Sequence, residues 1–266
     1  MKDLVGFDNL PSEIVAQLDN VVNIWKKHLD TQLVGVYLHG SIVLNAFVPK
    51  SSDIDLLIVI EDSLDITTKL TIAKDIIEID GKPCPLEMSA VRLSDVNPWK
   101  TPGNCVFHYS DFWRDRYLKR LSNPNVECYV VDNEFPDADV TSYIKLICQC
   151  GIVLYGREIK EVFSDISDED FWKVISADVD NYSFHDYAPR YLASNILILG
   201  RILSFKEIRR ILSKYDAGLW MFDRVPDDLK YLPKTAMKMW YGGEQHDFPE
   251  DDLERLRKYI IEEIKK

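Results

Sequence analysis

Residues 38–62, LHGSIVLNAFVPKSSDIDLLIVIED, constrain the fold more than any other stretch, because the apolar run LLIVI is entered through two aspartates spaced two apart. With a strand period of two, Asp53 and Asp55 project from the same side of the chain. Carboxylates held that close repel and raise one another's pKa unless a cation sits between them. Mg²⁺ is the expected cation: a hard ion usually held by one or two carboxylates plus substrate phosphates. Upstream, the turn at Gly40-Ser41 supplies backbone N–H groups and a hydroxyl suited to gripping a phosphate. A DxD at a strand end is often only a turn and a cap, and GS is a common loop dipeptide. The pair of features, separated by 11 residues and flanked by apolar strands, is far more specific and reads as a phosphoryl or nucleotidyl transfer site.

The surrounding pattern places that site in a small α/β unit. SEIVAQLDNVVNIWKKHL carries Ile14, Leu18, Val21, Val22, Trp25 and Leu29 at helical spacing, with Ser12 as a plausible N-cap. LVGVYLHG reads as a buried strand, DIDLLIVIED as a second and TTKLTIAKDIIEID as a helix. PLEMSAVRLSDV alternates as a third strand with Glu87 near its start. The sheet is expected to be covered on one face. From residue 140, VTSYIKLICQCGIVLYG is helical in period and ends at Gly156. The remainder is helical, closing on a stripe of Leu253, Leu256, Ile260 and Ile264. The expected organisation is α+β, with an N-terminal domain over 1–156 and an all-helical domain over 157–266 that completes the nucleotide and acceptor cleft.

With 266 residues the chain can bury two proper cores, and no apolar run approaches a membrane span. Five scattered cysteines without a paired CxxC array, and an N-terminus unlike a signal peptide, predict a reduced cytoplasmic protein, a monomer without membrane attachment. The net charge of −12 disfavours nucleic-acid partners and suits a cationic small molecule.

HGSIVLNAFVPKSSDIDLLIVI resembles the signature of the polymerase-β-like nucleotidyltransferase superfamily. LEMSAVRLSDVNPWKTP, GIVLYGREIKEVFSDIS, ILSKYDAGLWMFDRVP and KMWYGGE narrow the resemblance to aminoglycoside adenylyltransferases of the streptomycin/spectinomycin type, over about residues 35 to 245. The resemblance implies ATP as substrate, with Mg²⁺ on Asp53 and Asp55. Glu87 stands where the superfamily carries its third carboxylate, a metal ligand in polymerases and a general base in this branch; either role remains open. Gly40 and Ser41 would hold phosphate oxygens, and Arg201 and Lys214 would reach the triphosphate, although both could equally be solvated helix charges. Asp111, Phe112 and Trp113 in YSDFWRDRY, with Asp178 and His185 in DVDNYSFHDYAPRY, are the implied acceptor contacts.

Two departures stand out. APRYLAS replaces the acidic run that contributes drug contacts in streptomycin-accepting members. Asn45 and Ala46 replace the glycines usual after GS. The reading that follows is Mg-dependent transfer of AMP from ATP to a hydroxyl of an aminoglycoside or spectinomycin-like antibiotic. Its competitors are the same chemistry on a protein or tRNA, and a non-catalytic nucleotide-binding module.

Overall fold

The computed structural model describes residues 4–49, 52–177, 179 and 189–266. The chain divides into two compact units, Val5–Ile166 and Ser167–Lys266.

The first unit is built on a five-stranded sheet. Helix α1 (Ser12–Leu29) leads into β1 (Leu33–His39), the short helix α2 (Gly40–Val43), β2 (Ile54–Ile60), α3 (Ile66–Ile79) and β3 (Leu86–Arg92). After α4 (Leu93–Val96) come β4 (Gly103–Cys105), β5 (Phe107–Tyr109) and α5 (Asp111–Ser122). The unit ends with α6 (Tyr129–Asp132), β6 (Phe135–Asp137), α7 (Asp139–Cys150), β7 (Ile152–Gly156) and α8 (Ile159–Val162). The sheet order is β5-β3-β2-β1-β7, while β4 and β6 form a separate pair. Strands β2 and β3 run parallel, and β1 is antiparallel to both of its neighbours, β2 and β7.

Three expectations change. Pro11, not Ser12, occupies the N-cap of α1, because the Pro11 carbonyl already accepts from the Ile14 and Val15 amides. Residues 152–156 form the edge strand β7 rather than extending a helix, since helix α7 stops at Cys150 and the IVLY run completes the ladder of β1. Nor is the sheet covered on one face alone. Val36 and Leu38 join the core with Trp25 and Ile72, while Tyr37 meets Phe163 and His39 meets Tyr143 on the opposite face. The first unit runs to Ile166, within the stretch 156–168 where the sequence places the joint: Val162, Phe163 and Ile166 are buried, and the Arg157 amide donates to the Val34 carbonyl.

Asp65 caps α3, accepting from the Thr68 amide at 2.7 Å, and this fixes where the helix that backs the sheet begins. Trp25, fully buried, meets the edge of Phe107 at 5.3 Å and ties α1 to β5.

The second unit comprises α9 (Asp168–Ala177), α10 (Pro189–Ile208), α11 (Lys214–Phe222), α12 (Tyr231–Gly242) and α13 (Glu250–Lys265). Helix α10 carries buried residues around most of its circumference, from Ala193 to Phe205, which is the pattern of a central helix surrounded by others. Small residues allow the closest crossings: Gly200 lies against Ala217 and Met221, and Gly218 against Met237 and Leu197. The stripe of Leu253, Leu256, Ile260 and Ile264 is buried as the spacing predicts. Among the described residues no helix is long and apolar enough to cross a membrane.

Candidate active site

Gly40 sits at the exit of β1 with a φ of +72°, a conformation that L side chains rarely adopt. A Cβ there would lie 1.7 Å from Asp55 Oδ2. Glycine is therefore required twice: by the backbone angle, and by the approach of the turn to the carboxylate. The turn brings Ser41 along. Its Oγ is buried and has no hydrogen-bond partner, a cost of the kind that a ligand oxygen or N–H relieves.

Register assembles the carboxylates. Asp55 pairs with His39 on one side and with Glu87 on the other, so the three share one face of the sheet. Asp53 immediately precedes β2, two residues before Asp55. Asp53 is exposed, whereas Asp55 and Glu87 are half-buried. Among the described residues no three His, Cys, Asp or Glu side chains form a ready-made metal cage. The donors present fit an Mg²⁺ ion that takes one or two carboxylates from the protein and its other oxygens from nucleotide and water. Asp53 and Asp55 would be those ligands.

Helix α7 covers this face. The Tyr143 ring stacks on His39 at 4.6 Å between centroids and 25° between planes, and its hydroxyl donates to Glu87 Oε1 at 3.3 Å. Burial pushes the Tyr143 phenol well above its ordinary range, reinforced by the charge of Glu87, so it stays protonated. Burial also lowers His39 to about 3, leaving a neutral ring whose Nε2 has no hydrogen-bond partner.

Beside Glu87 opens a cavity of about 300 Å³ lined by Trp113, Tyr129, Asp137, Asp139 and Tyr143, among others. Burial raises the Asp137 carboxyl even though Oδ1 accepts from the Asp139 amide. Aromatic walls with carboxylates suit a cationic guest. Of the expected acceptor residues, Trp113 lines the cavity. Phe112 is 82% exposed and meets Trp113 edge-on, and Asp111 is exposed on the same first turn of α5; neither lines it. Asp178 and His185 lie outside the described residues.

In the helical unit, Lys214 Nζ donates to Ser194 Oγ at 2.8 Å and lies 3.9 Å from the centroid of Trp240, while Arg201 is half-buried near the Tyr241 hydroxyl. Tyr143, His39, Asp137 and Asp139 were not legible beforehand. The one signal available was His39 standing immediately before the glycine turn.

Residues 19–101 match the family model described as polymerase beta, nucleotidyltransferase, and residues 161–263 match the aminoglycoside adenylyltransferase C-terminal domain. An aminoglycoside (3'') (9) adenylyltransferase of Escherichia coli is 24% identical over 96% of each chain. A spectinomycin 9-adenylyltransferase of Staphylococcus aureus is 32% identical over 88% of each. The chain belongs to the aminoglycoside adenylyltransferase family. The nucleotidyltransferase model falls within the first unit and the C-terminal model covers most of the second, and the protein is a nucleotidyltransferase. The crystal structure of the Enterococcus faecalis spectinomycin adenyltransferase, with ATP and spectinomycin, shares the fold with a TM-score of 0.80 at 21% identity, covering 95% of this chain and 99% of the other.

Proposed function

We propose that this adenylyltransferase moves AMP from MgATP to a hydroxyl of a spectinomycin-like or aminoglycoside antibiotic and releases pyrophosphate. The observation that carries the reading is the close approach of the Gly40 turn to Asp55, with Glu87 alongside on the neighbouring strand. The turn proposed to grip phosphate thus abuts the carboxylate proposed to hold metal, with a further carboxylate in register beside it.

Asp53 and Asp55 would hold Mg²⁺, whose chemistry when bound would be to neutralise charge at the α-phosphorus and on the leaving group. Gly40 and Ser41 hold phosphate oxygens. Arg201 and Lys214 are proposed to add positive charge to the nucleotide site, and the guanidinium and ammonium chemistry suits phosphate. Glu87 takes the proton of the acceptor hydroxyl. The acceptor oxygen forms its bond to the α-phosphorus as the bond to the bridging oxygen breaks, and the electron pair leaves with pyrophosphate. Trp113 and the carboxylates of the cavity support a cationic acceptor there, with Asp111, Phe112, Asp178 and His185 proposed as further contacts.

The test is pyrophosphate release from MgATP with spectinomycin, streptomycin, kanamycin and lincomycin. Turnover with spectinomycin is expected. Silence with all four, while ATP still binds, would overturn the drug acceptor and favour a protein or tRNA.

A further inference from the structure

The carboxylate of a glutamate is the least defined part of the side chain, because its terminal torsion is broad and roughly two-fold. A general base needs that torsion fixed, since proton transfer depends on geometry before pKa. Three observations converge on the group that fixes it. Tyr143 and Asp139 stand four residues apart on α7, so they share a helix face, and both line the cavity beside Glu87. The Tyr143 ring is held from below by His39, itself anchored in β1 opposite Asp55. The Tyr143 hydroxyl reaches Glu87 Oε1. Phenylalanine could fill the same space and stack on the same imidazole; only the hydroxyl adds a contact to the carboxylate.

We propose that Tyr143 is a positioning residue: its phenol, pinned by His39, sets the rotation of the Glu87 carboxylate so that it faces the acceptor cavity. This rests on the reading of Glu87 as the base.

The experiment is a double-mutant cycle on the full chain with Tyr143→Phe, Glu87→Gln and the double variant. Pyrophosphate release from MgATP with spectinomycin is normalised to ATP-binding sites, which removes any unfolded fraction. Tyr143→Phe is expected to lower kcat by about tenfold, the low end for a hydrogen bond to a charged group, with MgATP affinity changed less than twofold. In the Glu87→Gln background the same change should alter the rate less than twofold, because the group it acts through is gone. Equal losses in both backgrounds, an unchanged kcat in Tyr143→Phe, or MgATP affinity falling as far as kcat would each overturn the proposal. A Glu87→Gln enzyme with wild-type kcat would instead refute Glu87 as base, a result distinct from any of these.

Discussion

Replacing Gly40 by alanine is the sharpest perturbation the site offers. The added Cβ would stand 1.7 Å from Asp55 Oδ2 and 2.4 Å from Cγ. Non-bonded carbon contacts settle near 3.5–4.0 Å, so the carboxylate or the turn must give way by roughly 1.5–2 Å. A misplacement of about 1 Å in a reacting constellation can cost on the order of 100-fold, and this one strikes a proposed metal ligand directly. Alanine also carries a backbone penalty at positive φ of about 1–2 kcal/mol. Gly81 separates the two effects. Its φ is +74°, and nothing lies within 4 Å of its own virtual Cβ. Gly81→Ala should therefore lose comparable stability without displacing any carboxylate. The assay is pyrophosphate release beside urea unfolding for both variants. We expect Gly40→Ala to lose about 100-fold in kcat and Gly81→Ala to keep wild-type turnover. A Gly40→Ala enzyme retaining more than a tenth of wild-type kcat, or equal losses in the two variants, would refute the reasoning.

Ser41→Ala removes a buried hydroxyl that has no partner; stability should hold or rise slightly while KM for ATP rises about tenfold, and an unchanged KM would remove Ser41 from the phosphate grip. Trp25→Ala empties a fully buried site against Phe107 and should cost about 3–5 kcal/mol in urea unfolding; a loss under 1 kcal/mol would contradict its place in the core. The Asp75 carboxyl is held below its usual range by Lys27 and then His28, each 2.8 Å from Oδ2. A depressed folded-state pKa gives stability that is complete above about pH 4 and lost as pH falls through the folded value. Asp75 is partly exposed, so Asp75→Asn should flatten that acid limb by less than about 1 kcal/mol, and an unaltered limb would discount the pair.

The strand pair and its carboxylates were readable because both signals are local. A period of two puts Asp53 and Asp55 on one side, and a glycine before a serine marks the phosphate turn. The place of Glu87 near the start of the next apolar alternation was readable, its role came only with the resemblance, and in the structure it stands in register with Asp55. Strand β7 was not readable: GIVLYG is too short for periodicity to separate a helix end from a strand, and its partner β1 lies far away in sequence. Tyr143 carries no local mark at all, and His39 only its place immediately before the glycine turn. Their meaning arises when α7 packs on β1, a tertiary event that spacing along either segment does not encode.

The placement of β7 bears on how the molecule comes into being. The β2 partner of β1 follows closely in sequence, yet the other edge of β1 is closed by a strand on the order of a hundred residues downstream. At translation rates of about 5–20 residues per second, that edge waits roughly 5–20 s on the ribosome with its amides unpaired. By the later part of this interval β2 and β3 are also made, while an apolar margin of β1 stands open to neighbouring nascent chains. Slowing elongation between β1 and β7 should therefore raise the aggregated yield, and supplying holdase chaperones should recover it.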